Sequence, residues 1–218
     1  MDGWLDPLGP GVTSLQGMTQ DGKTIGNEYE GPTDLKYKQI STGEIQLTWN
    51  APVLEKIAGW GSQDRYQQFG LGGDPFYFAQ KWDTKDLQPV HKKTIRKVNF
   101  YPQERVTYGV YIKQGNREYE ESFTQLKSGK INSVTLKTPF VIDAKLDLLV
   151  AIHVISYANN TYPACSDEGP AVDGKGNLYS LDGKKWETFS DDELDANVVL
   201  SIVISAEEGE LPSSSVFS

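Results

Sequence analysis

The chain has 218 residues, 38% of them hydrophobic and 23% charged, with a formal net charge of −9 at pH 7. It can bury one full core or two small ones, and its composition excludes a disordered chain. The acidic balance speaks against nucleic acid as a partner. No apolar run approaches the roughly 20 residues that span a bilayer, so an integral membrane protein is not expected. A single cysteine, Cys165, excludes an internal disulfide and a cysteine-rich zinc site.

Residues 1–31 are rich in Gly, Pro, Thr and Asp without a sustained period, and are expected to form an extended leader. The opening, "MDGWLDPLGPG", has neither a cationic region nor an apolar one, so no signal peptide is expected within it. Residues 32–206 carry the strands. Ile45, Leu47 and Trp49 alternate with Gln46 and Thr48, and Ala51-Pro52 closes that strand. "DTKDLQP" is the one plausible helical turn, with Asp83 as N-cap and Pro89 ending it.

The next stretch holds four cations and a histidine between His91 and Lys97. Ile95 is out of phase with Val98 and Phe100, which predicts a β-bulge or a twisted strand entry, with the cations on the solvated side. Val106, Tyr108, Val110 and Ile112 share one face of a strand, as do Val198, Leu200, Ile202 and Ile204. "LLVAIHVI", from Leu148 to Ile155, is nearly continuous and apolar, as a strand covered on both sides would be. Turn signals separate these runs at Gly115-Asn116, Ser128-Gly129, Asp173-Gly174 and Asp182-Gly183. The whole predicts an all-β, two-sheet jelly-roll β-sandwich with one short helical turn. Residues 207–218 are acidic, then serine-rich, and are expected to be a tail or linker.

Catalytic signatures are weak. His91 and His153 are the only histidines, His153 within the apolar strand and His91 in a polar turn. Cys165 lacks the context of a nucleophile, and "FGLGGDPF" lacks the Lys-Ser/Thr of a phosphate loop. No enzyme activity is expected and no cofactor is required.

The charge is unevenly spread. Residues 165–210 hold 12 acids and 3 bases, while the rest of the chain holds 18 of each. Within "CSDEGPAVDGKGN", Asp167, Glu168 and Asp173 offer hard oxygen ligands of the kind that hold calcium, or else make a solvated acidic turn. Tyr162, Tyr179, Trp186, Trp60 and Tyr66 lie in or beside loops, where exposed rings stack on sugars or anchor a protein partner. Because loops gather at the ends of a sandwich, the end carrying residues 165–177 and Trp186 is the expected binding site.

Several stretches occur in one order: "GEIQLTWNAP", "FYFAQKWDTKDLQPVHKKTIRKVNFYP", "VTYGVYIKQG", "INSVTLKTPFVID", "YPACSDEGPAVDGKGN" and "DGKKW". Together they resemble the cleaved-adhesin-type β-sandwich of Bacteroidetes surface proteins, which includes the gingipain haemagglutinin/adhesin domains. The resemblance spans residues 43–205. It rests on the helical Asp86-Leu87 turn, the strand from Lys93 to Pro102, the strand from Val134 to Asp143 and the hairpin from Asp182 to Trp186. Where that family has an early Asp-rich segment associated with calcium, "GWGSQDRYQQFG" retains only Asp64. The resemblance implies a non-catalytic adhesion module at the bacterial cell surface or secreted, a monomer or part of a multidomain chain. Its partner would be a host extracellular protein or glycan. The alternatives are a structural spacer in a larger surface protein and the carbohydrate-binding module of a carbohydrate-active enzyme.

Overall fold

A computed structural model describes residues 27–29, 33–42, 44–50, 54–192, 194–205 and 214–217. Two antiparallel sheets dominate. The first has five strands in the order β1 (Asn27–Tyr29), β4 (Leu54–Ala58), β15 (Leu200–Ser205), β7 (Thr94–Phe100) and β10 (Asn132–Val141). The second has six, in the order β14 (Glu187–Thr188), β13 (Leu178–Ser180), β6 (Phe76–Trp82), β11 (Leu148–Ser156), β8 (Thr107–Gln114) and β9 (Arg117–Phe123). A ribbon pairs β5 (Gln67–Phe69) with β12 (Ala164–Ser166), and a three-stranded sheet orders β16 (Ser214–Phe217), β3 (Glu44–Asn50) and β2 (Thr33–Ser41). Among the described residues no helix is long and apolar enough to cross a membrane.

Period-two patterning explains the packing. Tyr108, Val110 and Ile112 of β8 and Leu200, Ile202 and Ile204 of β15 come from different sheets and enter one buried cluster. Phe76, Phe78 and Trp82 from β6 and Val98 and Phe100 from β7 complete its centre. Each such side chain withdrawn from water contributes about 1.5–3 kcal/mol. The face of β11 with Leu148, Val150, Ile152 and Val154 also enters this core, and its other face carries Leu149, Ala151 and His153.

The irregularity expected at the basic run is a β-bulge. Val203 pairs with Lys97 and Ile204 with Ile95, so Arg96 is the extra residue, and the bulge returns Ile95 to the buried side. Lys97 forms an ion pair with Glu55 at 2.9 Å. Asp83 caps the helix α1 (Thr84–Leu87), its N–H donating to Asp86 Oδ2 at 3.0 Å. Pro89 lies inside a 3₁₀ turn, Gln88–Val90, that continues the helix.

The early strand differs from its alternation. β3 pairs with β2 and β16 outside the two main sheets, and this small sheet leaves Leu35 65%, Tyr37 81% and Ile45 46% exposed. Of the segments expected to be leader and tail, Asn27–Tyr29 pairs with β4 and Ser214–Phe217 with β3; residues 1–26, 30–31, 207–213 and 218 lie outside the described residues.

Candidate functional site

The outer face of the six-stranded sheet carries a second, smaller apolar cluster. Register builds it. Leu149 stands between Lys81 and Lys113, Ala151 between Ala79 and Tyr111, and His153 between Tyr77 and Gly109. Leu178 lies beside Ala79 from the next strand. Small residues keep the floor low, and Tyr77, Tyr111, Leu149 and Trp186 pack around buried Ala79, Ala151 and Leu178. Tyr77 stacks on His153 with ring centroids 4.0 Å apart, and meets Tyr111 and Trp186 edge-on at 6.0 and 6.2 Å.

The connection between β13 and β14 forms an arm over this face. Asp182 Oδ1 accepts the N–H groups of Lys184 and Lys185 at 2.7 and 2.8 Å, and Ser180 Oγ accepts that of Gly183 at 2.9 Å. Gly183 has φ +69°, and a Cβ there would stand 3.2 Å from the Tyr77 ring. Left-handed backbone and close approach both demand glycine, and together they seat the arm on Tyr77.

Between arm and sheet runs a groove of about 570 Å³, lined by Lys81, Lys113, Asp147, Leu149, Leu178, Lys184 and Trp186, with the backbone at Gly115, Gly174 and Gly183. Lys81 pairs with Asp147 at 2.9 Å, and Lys113 with Glu118 at 2.7 Å. These carboxylates raise the pKa of both lysines, which remain cations at neutral pH. Lys184 has no ion pair among the described residues. Burial raises the Tyr77 phenol, and Glu120 and Asp182 raise it further, so it stays neutral and a hydrogen-bond donor.

The ring residues expected to bind separate. Trp186 walls the groove. Tyr179 faces the other side of its strand, stacked on Phe189 at 5.7 Å, with its hydroxyl donating to Glu187. Trp60 is buried: its indole N–H donates to the Lys81 carbonyl at 2.8 Å and the Lys175 ammonium sits 4.8 Å from its ring centroid. Tyr66 and Tyr162 are exposed, at 62% and 49%, but flank opposite ends of the β5–β12 ribbon. These five rings therefore do not make one surface.

The acidic loop is built as a structural knot. Asp167 is buried, and its Oδ1 accepts the N–H groups of Gly169 and Asn197 at 2.9 and 2.7 Å. Its Oδ2 accepts the Ser62 N–H at 2.8 Å and Asn197 Nδ2 at 3.1 Å. A Cβ at Gly61 would lie 2.1 Å from Oδ2, so only glycine admits this carboxylate. Asp173 is exposed and held by Asn177, whose side-chain hydrogen bond is the largest cause lowering its pKa. Glu168 is also exposed. Protein N–H groups thus occupy both Asp167 oxygens, while Glu168 and Asp173 face solvent, and among the described residues no three His, Cys, Asp or Glu side chains gather to hold a metal ion.

Cys165 is buried, and burial pushes its thiol up to about 11, where thiolate is scarce at neutral pH. His91 Nδ1 accepts the Ala144 N–H at 3.1 Å. Sequence reasoning missed Tyr77, Tyr111, Lys81, Lys113 and Leu149. Their signal lay in the phase opposite to the core residues of "FYFAQKW", "TYGVYIKQ" and "LLVAIHVIS". Compared with protein-family models, with curated proteins and with solved structures, the chain matches none.

Proposed function

We propose that the protein is a non-catalytic binding module that takes a glycan on the outer face of its six-stranded sheet, serving adhesion at the cell surface or after secretion. The groove under the Trp186 arm carries this reading. It has Leu149 and Leu178 as floor, the Trp186 ring as wall and lysines and Asp147 at its rim, and it adjoins the cluster of Tyr77, Tyr111, Ala79 and Ala151 on the same face. Sugars present apolar C–H faces and a fringe of hydroxyls, so they suit an aromatic wall beside fixed donors and acceptors. The resemblance of its motif order to cleaved-adhesin modules supports the adhesive context.

Strand order supports the jelly-roll reading. β4-β15-β7-β10 in one sheet opposes β6-β11-β8-β9 in the other, so the chain crosses between sheets in the manner of two interlocked Greek keys. The non-catalytic reading is supported by the buried, protonated Cys165 and by the engagement of His153 in a ring stack.

A glycan array followed by calorimetry tests the proposal. Any glycan bound by the wild type should lose at least tenfold in affinity with Trp186→Ala, while the fold persists. Binding that survives Trp186→Ala and Tyr111→Ala unchanged would move the site off this face.

A further inference from the structure

We infer that the saccharide held in the groove carries an anionic group, a uronic or sialic carboxylate or a sulfate ester; this rests on the glycan reading above. In a chain of net charge −9, the groove is lined by three lysines, Lys81, Lys113 and Lys184, against one carboxylate, Asp147. A concave site walled by low-dielectric side chains concentrates the field of such a cluster.

The three cations are not equivalent. Lys81 is held by Asp147 at 2.9 Å and approached by Asp83 at 3.5 Å, so its charge is spent within the protein. Lys113 pairs with Glu118 on the edge strand β9, where both side chains are about half exposed, at 47% and 53%. An ion pair that wet is weak and exchanges readily for another anion. Lys184 makes no ion pair within 4 Å among the described residues, feels the Asp182 carboxylate only at longer range, and lines the groove with Trp186. Lys81 and Lys113 also flank Leu149 in register, so the apolar floor runs straight into the basic rim. A sugar ring against Trp186 and Leu149 would thus bring a substituent to Lys113 and Lys184. Charge complementarity assigns that substituent a negative charge.

The test uses an array of uronate-, sialate- and sulfate-bearing oligosaccharides, each printed beside its carboxyl-reduced or desulfated counterpart, with calorimetry on the hits. At least one acidic glycan should bind ten times more tightly than its neutral counterpart. Whether that glycan is carboxylated or sulfated identifies the group. The double variant Lys113→Gln/Lys184→Gln should abolish the preference, so that the acidic and neutral members of each pair bind alike. Equal binding of acidic and neutral members, lost in Trp186→Ala, would overturn the anionic inference and leave the glycan reading standing. Acidic binding that persists in Trp186→Ala would be surface attraction only and would overturn the inference. No binding to any member would overturn both.

Discussion

The Asp167 loop and the Trp186 arm belong to the same acidic stretch of chain and use their polar groups in opposite ways. Around Asp167 a carboxylate is buried and both its oxygens accept backbone N–H groups, joining loops distant in sequence. Around Trp186 the acid, Asp182, only shapes the turn, and the half-buried indole is left facing a groove. Acidity in a sequence is therefore no measure of availability. What counts is whether the fold brings donors to the carboxylate, because a buried anion must be satisfied from within.

The comparison can be broken first at Asp167. Asp167→Ala strands three backbone N–H donors and should cost about 3 kcal/mol, or roughly 6–12 °C in Tm by calorimetry. A loss smaller than about 1 kcal/mol would mean that water replaces the carboxylate, and the knot would not be a structural element.

On the arm, Gly183→Val forces a branched side chain into left-handed backbone against Tyr77. It should cost about 1–2 kcal/mol and alter the near-ultraviolet circular dichroism of the Trp186–Tyr77 contact. An unchanged aromatic signal would detach the arm from the ring.

Trp186→Ala should be milder for stability, about 1 kcal/mol by chemical denaturation, since its ring is only half buried. A loss as large as that of Asp167→Ala would make Trp186 a core residue rather than a groove wall.

Smaller still is a pH effect at His153. Burial lowers its pKa from 6.5, with Glu120 partly opposing. Above 6.5 neither folded nor unfolded His153 takes a proton. As pH falls below it, the unfolded chain is protonated first, and stability declines until the lower folded value is reached. His153→Gln should flatten that slope in urea titrations between neutral pH and pH 5; an identical slope would assign it to other groups. The smallest expected effect is none at all: millimolar calcium should leave Tm unchanged, and a rise of several degrees would place an ion on the fold.

Local rules made much of the architecture legible in the sequence. Alternation at Tyr108–Ile112 and Leu200–Ile204, the Asp83 cap and the phase slip at Ile95 all follow from the period of two and from short-range hydrogen bonding. The same alternation in β3 identified a strand but not its sheet, because pairing partners are chosen by distant segments. For the site, Trp186 could be proposed from its place on a turn, whereas Tyr77 and Tyr111 could not. They lie on separate strands, and only the register of β6, β11 and β8 sets them around Ala151. Burial of Trp60 and Asp167 was likewise decided in three dimensions, by Lys175 over the ring and by Ser62, Gly169 and Asn197 around the carboxylate. The sequence by itself determined which residues share a face of each strand, since side-chain direction is a local property of extended backbone. Tertiary structure alone decided which faces meet, because register and sheet packing minimise unsatisfied polar groups and exposed apolar area over the whole chain.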